Sequence, residues 1–318
     1  MTRSAMAVTE PARAAATTDP RDGPSAAPEP PASRGNRRTL AALLLAVPAA
    51  VWLLLYFVIP SVQLLLTSLT TPEPGLGNYT AIADGAAVSI IVRTLVMAVV
   101  VAIVCAVIAY PYAYLMTIAT PRWRAILLIL VLVPFWTSLL ARTFAWVVLL
   151  QDGGLVEKAF AALGLGSVQL LGTPVGVTIA MAQVMLPFMV LPLYNTMRGI
   201  NRRLVDAALS LGAHPVQAFL RVYLPLSFPG LAAGATLVLV LSLGFYVTPA
   251  LVGSPQQSML AQYIGVQVNE LVNFGGAGAL ALTLLIVTLL LLAAVQLLTR
   301  RRSGSQRSLT TSTFGGTA

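Results

Sequence analysis

Most protein chemistry by nucleophilic attack, proton transfer or metal ligation draws on Cys, His and Lys, and this chain of 318 residues holds one of each: Cys105, His214 and Lys158. A lone cysteine makes no disulfide within the chain, and the Cys/His ligand sets of zinc sites are missing. Phosphate cradling by a P-loop requires a glycine-rich turn that leads into lysine. Lys158 stands in Val156-Glu157-Lys158-Ala159, with no such turn before it. A Ser-His-Asp triad would have to use His214, which lies in a basic loop remote in sequence from any serine in an apolar run. These residues imply no cofactor, no metal centre and no nucleotide hydrolysis by this chain.

The spacing that does carry a mechanism lies between about 198 and 227. Arg202 to Leu211 contains no helix breaker, Asn201 precedes it as an N-cap, and Gly212 follows it as a stop. Pro215 then starts a second short helix, with Val216, Phe219, Leu220 and Tyr223 at i, i+3, i+4 and i+7 on one face. Gln217 and Arg221 face elsewhere, and Pro225 and Pro229 close the helix. The pattern predicts a bent helical hairpin with an apolar face and a basic edge. Ala207 and Ala208 let another backbone approach closely, and Gly212 permits a sharp turn that keeps the hairpin compact.

The elements around this hairpin follow from composition. At 58% apolar, 9% charged and a mean hydropathy of +0.86, the chain has too few charges to wet a folded surface of its size. The missing solvent contact is with lipid, so the fold class is all-α, a polytopic membrane protein. A hydrocarbon core of about 30 Å requires about 20 apolar residues in a helix. Six runs qualify: Leu40 to Leu66, Val88 to Tyr110, a third from Ala125 that reaches Arg142 at marginal length, Val175 to Met197, Phe228 to Val252, and Gly278 to Thr299. The third ends at Arg142 or carries it at the membrane interface.

Six crossings divide the flanks into two sets. One contains Arg34, Arg37, Arg38, Arg122, Arg124, Arg198, Arg202, Arg203, Arg221, Arg300, Arg301, Arg302 and Arg307; the other contains only Arg142, Lys158 and Arg93. The positive-inside rule therefore places both termini in the cytoplasm, and the formal net charge of +9 is topological, with no nucleic-acid partner implied. Residues 1–36, rich in Pro and Ala, read as a disordered cytoplasmic tail, residues 37–302 as the membrane domain, and residues 303–318 as a second cytoplasmic tail. Trp123, Tyr110, Tyr112, Tyr114 and Tyr194 read as an interfacial aromatic belt. Pro48, Pro134, Pro187, Pro192 and Pro249 fall inside spans, where each removes a backbone hydrogen bond and favours a kink. No Asp, Glu or Lys lies deep in a span, which argues against an ion-coupled carrier. A stand-alone carrier or a scaffold remains compatible with the residues alone.

Asp206-Ala207-Ala208, then Gly212, then Val222-Tyr223-Leu224-Pro225 resembles the EAA signature of the inner-membrane permeases of binding-protein-dependent ABC importers. That signature reads Glu-Ala-Ala, Gly, then Ile-x-Leu-Pro at the same spacings; Asp206 and Val222 depart from it conservatively. Pro134-Phe135-Trp136-Thr137-Ser138, Arg142-Thr143-Phe144-Ala145-Trp146, Leu186-Pro187-Phe188-Met189 and the run from Tyr246 to Gly253 are similar to the spermidine/putrescine-type permeases of that family. The resemblance implies a type I importer permease fold in the bacterial inner membrane. It also implies a second permease subunit, an ABC ATPase in two copies and an extracytoplasmic solute-binding protein. On this basis Asp206, Ala207, Ala208, Gly212, Val222, Leu224 and Pro225 are the ATPase-coupling residues. A solute of this type is a small organic cation such as spermidine or putrescine; an amino-acid derivative or phosphonate is the alternative. With no acid in the spans, aromatic faces and uncharged oxygens would meet a cation, and Trp136, Thr137, Gln183, Tyr246 and Thr248 are the pathway candidates.

Overall fold

The computed structural model describes residues 35–83, 85–164 and 166–311, with side-chain surroundings from 47 to 297 except at Ala86. Most of the expected N-terminal tail and the last seven residues lie outside that range. The described residues form thirteen α-helices: α1 (Gly35–Thr70), α2 (Gly77–Ala83), α3 (Ala86–Ile118), α4 (Pro121–Leu132), α5 (Leu139–Leu150), α6 (Leu155–Ala162) and α7 (Pro174–Arg198). They continue as α8 (Arg203–Ser210), α9 (Pro215–Ala218), α10 (Leu224–Leu243), α11 (Val247–Val252), α12 (Leu260–Asn269) and α13 (Phe274–Thr311). Six helical segments among them are long and apolar enough to cross a membrane. The part of α1 up to Phe57 forms a unit by itself, and the remaining description concerns the body from Val58 onward.

Three helices build the centre of that body: α3, α7 and α10. On α3 the fully buried positions Val101, Cys105, Ala109 and Ala113 recur every four residues and continue to Met116. On α7 the buried stripe is Met181, Met185, Met189, Leu193 and Met197, also every fourth residue. On α10 the stripe is made of small residues, Gly230 and Gly234, and then Val238. This is period-3.6 patterning with the smallest side chains where helices come closest. A Cβ on Gly230 would lie 2.5 Å from Thr196 Cβ, and one on Gly234 would lie 2.8 Å from Met189 Sδ and 3.0 Å from its carbonyl oxygen. The opposite faces of α3 and α5 expose Val92, Val96, Ile103, Val107 and Val148, as a lipid or subunit contact requires.

Local signals set the ends of α7. Thr173 Oγ1 accepts the Gly176 N–H at 3.2 Å, Pro174 occupies the first turn, and Arg198 lies in the last. This matches the expected span within a residue at each end. Pro187 and Pro192 lie inside α7, Pro187 itself buried, and do not interrupt it.

The structure corrects three other spans. The second runs on to Ile118 through Pro111, because the buried positions on both sides of the proline keep the helix seated. The fifth starts at Pro215, joined to α10 through a π-helical turn over Phe219–Tyr223, and ends at Leu243; Gly244 to Tyr246 break it and α11 is a separate short helix. Pro225 therefore does not close the hairpin. It has no N–H to donate, and the wide turn before it, with Leu224 N–H bonded to Phe219 O, absorbs the defect. The sixth span, Phe274–Leu297, ends before Arg300–Arg302 as expected, although α13 itself stays helical to Thr311.

The third span is discontinuous. An apolar window falls on Leu139–Ala162, but a turn at Gln151–Gly154 divides it. Contacts trace the crossing instead to α4, a 3-10 turn at Val133–Trp136, and α5. The start of α4 lies beside the end of α3, where Arg124 Nε bonds Met116 O, and the end of α5 packs Leu150 near Gly176 at the start of α7. Pro134 explains the break, since it cannot donate to the preceding turn. Arg142 therefore lies within the crossing, not at its end. The aromatic belt is also revised: Tyr194 is buried in the core, and Tyr112 Oη donates to Leu127 O at 2.7 Å, while Trp123 is exposed as a belt residue would be.

Candidate functional site

The hairpin forms as two arms. Asn201 Oδ1 accepts the Arg203 N–H at 3.1 Å and starts α8, whose first turn carries Asp206 near the positive end of the helix dipole. Leu211 N–H returns to Ala207 O and Ala213 N–H to Ala208 O, and Gly212 between them takes φ +85°. That left-handed conformation is the one glycine adopts without cost. His214 Nδ1 accepts the Val216 N–H, so the lone histidine caps the second arm. The expected face of Val216, Phe219, Leu220 and Tyr223 divides. Phe219 and Tyr223 turn inward, Tyr223 being buried, whereas Val216 and Leu220 are exposed, because the π turn shifts the register by a residue.

The exposed tip consists of Asp206, Ala207, Leu211, Gly212 and Val216, with Leu211 at 89% exposure. Among the described residues no element covers these open apolar side chains. Ala208 is half-buried on α8, and Val222, Leu224 and Pro225 lie at the root, where the second arm becomes α10. The seven expected coupling residues thus divide between the first arm with its bend and the root, joined by one continuous helical segment from Pro215.

The root is fastened to α3. Phe219 and Tyr223 stack with ring centroids 5.6 Å apart, and the Tyr114 ring meets both edge-on, at 6.0 and 5.3 Å. Tyr110 also packs edge-on against Phe219, at 5.9 Å, and its Oη shares a 2.9 Å hydrogen bond with Ser227 Oγ. The other arm reaches the same helix end: Arg202 Nη2 donates to Thr117 O at 3.0 Å. A cavity of about 270 Å³ between the arms is lined by Tyr114, Arg202, Asp206, Phe219 and Tyr223. The sequence showed the motif but not these attachments, since Thr117 and Arg202 are 85 residues apart.

A second cavity of about 270 Å³ lies at the break of the third crossing, between α5, α7 and α10. Phe135, Thr137, Arg142, Met185, Phe188 and Phe245 line it, with the Phe135 and Phe188 rings 5.0 Å apart. Arg142 bridges the break, donating to Pro134 O, to Thr137 O at 3.0 Å and to Thr137 Oγ1. The guanidinium satisfies carbonyls that the broken helix leaves open, the arrangement by which a charge is tolerated at membrane depth.

The pathway candidates do not converge. Thr137 lines this cavity, while Gln183 accepts the Trp146 indole N–H at 3.3 Å on the neighbouring face of α7. Trp136 projects from the break at 90% exposure. Tyr246 is 46% exposed at the end of α10, and its ring packs on Gly265 of α12. Thr248 is fully buried and hydrogen-bonds Thr143 at 3.2 Å, so within this chain it holds α11 to α5. Among the described residues no cluster of His, Cys, Asp and Glu could hold a metal.

Residues 113–304 match the model of the binding-protein-dependent transport system inner membrane component family. The spermidine/putrescine transport system permease protein PotB of Haemophilus influenzae is 32% identical over 247 residues, covering 74% of this chain and 86% of that protein. PotB of Escherichia coli is 30% identical over the same share of this chain and 90% of its own length. The inner membrane ABC transporter permease protein YdcU of Escherichia coli is 34% identical over 234 residues, 69% of this chain and 74% of that one. The fold is also that of a chain in the crystal structure of a bacterial alginate ABC transporter bound to its periplasmic protein, with a TM-score of 0.68 at 18% identity, over 83% of this chain and 96% of that chain.

Proposed function

The chain belongs to the family of binding-protein-dependent transport system inner membrane components and is a permease subunit of an ABC importer, and from that premise we propose that the solute it passes is a polyamine such as spermidine or putrescine. The observation that carries the substrate is the 32% identity to a spermidine/putrescine permease across 74% of the chain. The permease forms half of the pathway, a second permease the other half, and two copies of an ABC ATPase drive both. The chain itself hydrolyses no ATP, in keeping with its lack of a P-loop. A solute-binding protein delivers the solute at the far side.

In this reading the hairpin faces the cytoplasm with both termini, supported by thirteen arginines on that side against Arg93 and Lys158 on the other, Arg142 lying within a crossing. Asp206, Ala207, Ala208 and Gly212 present the tip to the ATPase, and Val222, Leu224 and Pro225 carry its motion into α10. ATP-driven closure of the ATPase pair pushes the hairpin and rocks the crossings between inward-open and outward-open states. Trp136, Thr137, Gln183 and Tyr246 contact the solute in transit, and cation–π contacts of about 0.5–2 kcal/mol each are weak enough to let it pass.

Arg142 favours a second reading, because a fixed cation beside the pathway cavity suits a solute with an anionic group, such as an amino-acid derivative or a phosphonate. One assay separates them: ATP hydrolysis by the assembled importer with its own binding protein, under a panel of spermidine, putrescine, basic amino acids and 2-aminoethylphosphonate. Stimulation by spermidine or putrescine alone is expected; stimulation by an anionic member of the panel and not by the polyamines would replace the polyamine reading with the second.

A further inference from the structure

The carboxyl end of α3 is held in an unusual way. A helix end leaves its last carbonyls without intrahelical partners and carries the negative end of the dipole. Here two arginines from outside the helix take them. Arg124, at the start of α4, donates from Nε to Met116 O at 3.2 Å and from Nη2 to Ala119 O at 3.2 Å. Arg202, at the start of the hairpin, donates to Thr117 O at 3.0 Å and to Thr117 Oγ1 at 3.3 Å. Thr117 Oγ1 is itself oriented, since it gives its proton to Tyr114 O at 2.7 Å and so turns lone pairs toward the guanidinium. The second arm of the hairpin is fixed to the same two turns of α3 by the Tyr110, Tyr114, Phe219 and Tyr223 rings and by the bond between Tyr110 and Ser227.

We propose that Arg202 is a positioning residue for coupling, which clasps the hairpin to the end of α3 at Thr117 so that hairpin and α3 move as one body. A push on the tip then enters the central bundle through α3 as well as through α10. Without the Arg202 bond the first arm loses its hydrogen-bonded tie to α3 and keeps the Gly199–Asn201 turn and the packing of Val205 against the core, so the tip tilts more freely relative to α3. Charge-assisted bonds are the stronger class of hydrogen bond, and this one closes on a carbonyl that the helix end leaves without an intrahelical partner. The inference rests on the reading of the hairpin as the ATPase contact.

The test uses the whole importer in proteoliposomes, with radiolabelled spermidine as the probe and a Cys105→Ala background. Arg202→Ala is expected to keep hydrolysis stimulated by the loaded binding protein while spermidine moved per ATP falls severalfold. Arg202→Lys should recover part of the loss, because an ammonium can still reach one carbonyl. Thr117→Cys with Arg202→Cys should behave like Arg202→Ala until a short cleavable thiol cross-linker joins the pair; uptake per ATP should then rise, and fall again on reduction. A purely structural role predicts parallel loss of assembly, hydrolysis and uptake, and would overturn the proposal. So would full coupling in Arg202→Ala, or a cross-linked importer that is silent until reduced, which would mean that the hairpin slides on α3. Gly212→Val in the same assay tests the hairpin reading itself: uncoupling there with none in Arg202→Ala removes only the clasp, whereas normal coupling in both removes the ATPase contact.

Discussion

Gly212 shows how much one residue type can decide. Its φ of +85° lies where side-chain-bearing residues pay roughly 1–2 kcal/mol, yet a Cβ built there meets nothing within 4 Å, so the whole cost of substitution falls on the backbone of the bend. Gly212→Val should leave membrane insertion and subunit assembly intact, as judged by co-purification, and lower solute uptake. Uptake at the parental level would show that the tip tolerates another bend. Trp136 poses the opposite case. At 90% exposure it contributes little packing, and surface substitutions usually stay within about 0.5 kcal/mol. Trp136→Ala should therefore lower uptake while stimulated ATP hydrolysis and thermal stability persist; unchanged uptake would assign the ring to lipid. Gly212 was legible from sequence because a glycine between two short helices has a stereochemical reason to be there. Thr248 was not, because nothing in Tyr246-Val247-Thr248-Pro249 distinguishes a pathway hydroxyl from one buried against Thr143.

At the scale of elements, apolar run length locates crossings but does not see where they bend. Val175 to Met197 was readable because Thr173, Pro174 and Arg198 mark its ends within a residue or two. The third crossing was not, because α4 and α5 form a single apolar run in sequence, and only Arg142 at marginal distance from Ala125 hinted that Pro134 divides it. The fifth was misplaced for a related reason: Pro225 reads as a stop, but a π turn accommodates it and the helix continues. Packing between crossings is nearly invisible in sequence, although it sets the stability of the bundle. A Cβ at Gly230 would meet Thr196 Cβ at 2.5 Å and Pro192 O at 3.0 Å, and one at Gly234 would meet Met189 Sδ at 2.8 Å, whereas Gly244 faces open space. Gly230→Ala and Gly234→Ala should each destabilise the purified subunit by about 1–3 kcal/mol through overpacking, and Gly244→Ala should not. Thermal unfolding in one detergent measures all three, and equal midpoints would mean that α7 and α10 are not this close.

At the scale of the whole molecule, the proposed function has the chain receive its work from the ATPase. It has no P-loop and, among the described residues of the crossings, no acidic side chain to take energy from a proton or sodium gradient. Work can enter only where the surface is both exposed and mechanically tied to the core. The hairpin meets both conditions. Its tip exposes Ala207 and Leu211, and its root is continuous with α10 and packed on α3. Other exposed apolar surface, along α3 and α5, lies on the sides of the crossings, where lipid or, in the proposed importer, the second permease would cover it. A contact that transmits work must change during the cycle, so proximity alone is a weak criterion and dependence on nucleotide is the strong one. With Cys105 replaced, Ala207→Cys should cross-link to a cysteine placed in the groove of the ATPase subunit, with a yield that differs between the ATP-bound and nucleotide-free importer. The isolated permease in nanodiscs should show no ATP turnover above background, since the nucleotide acts only through that contact. An intact assembly in which no groove position cross-links to the tip, or in which every yield is indifferent to ATP, would place the entry of work elsewhere on the chain.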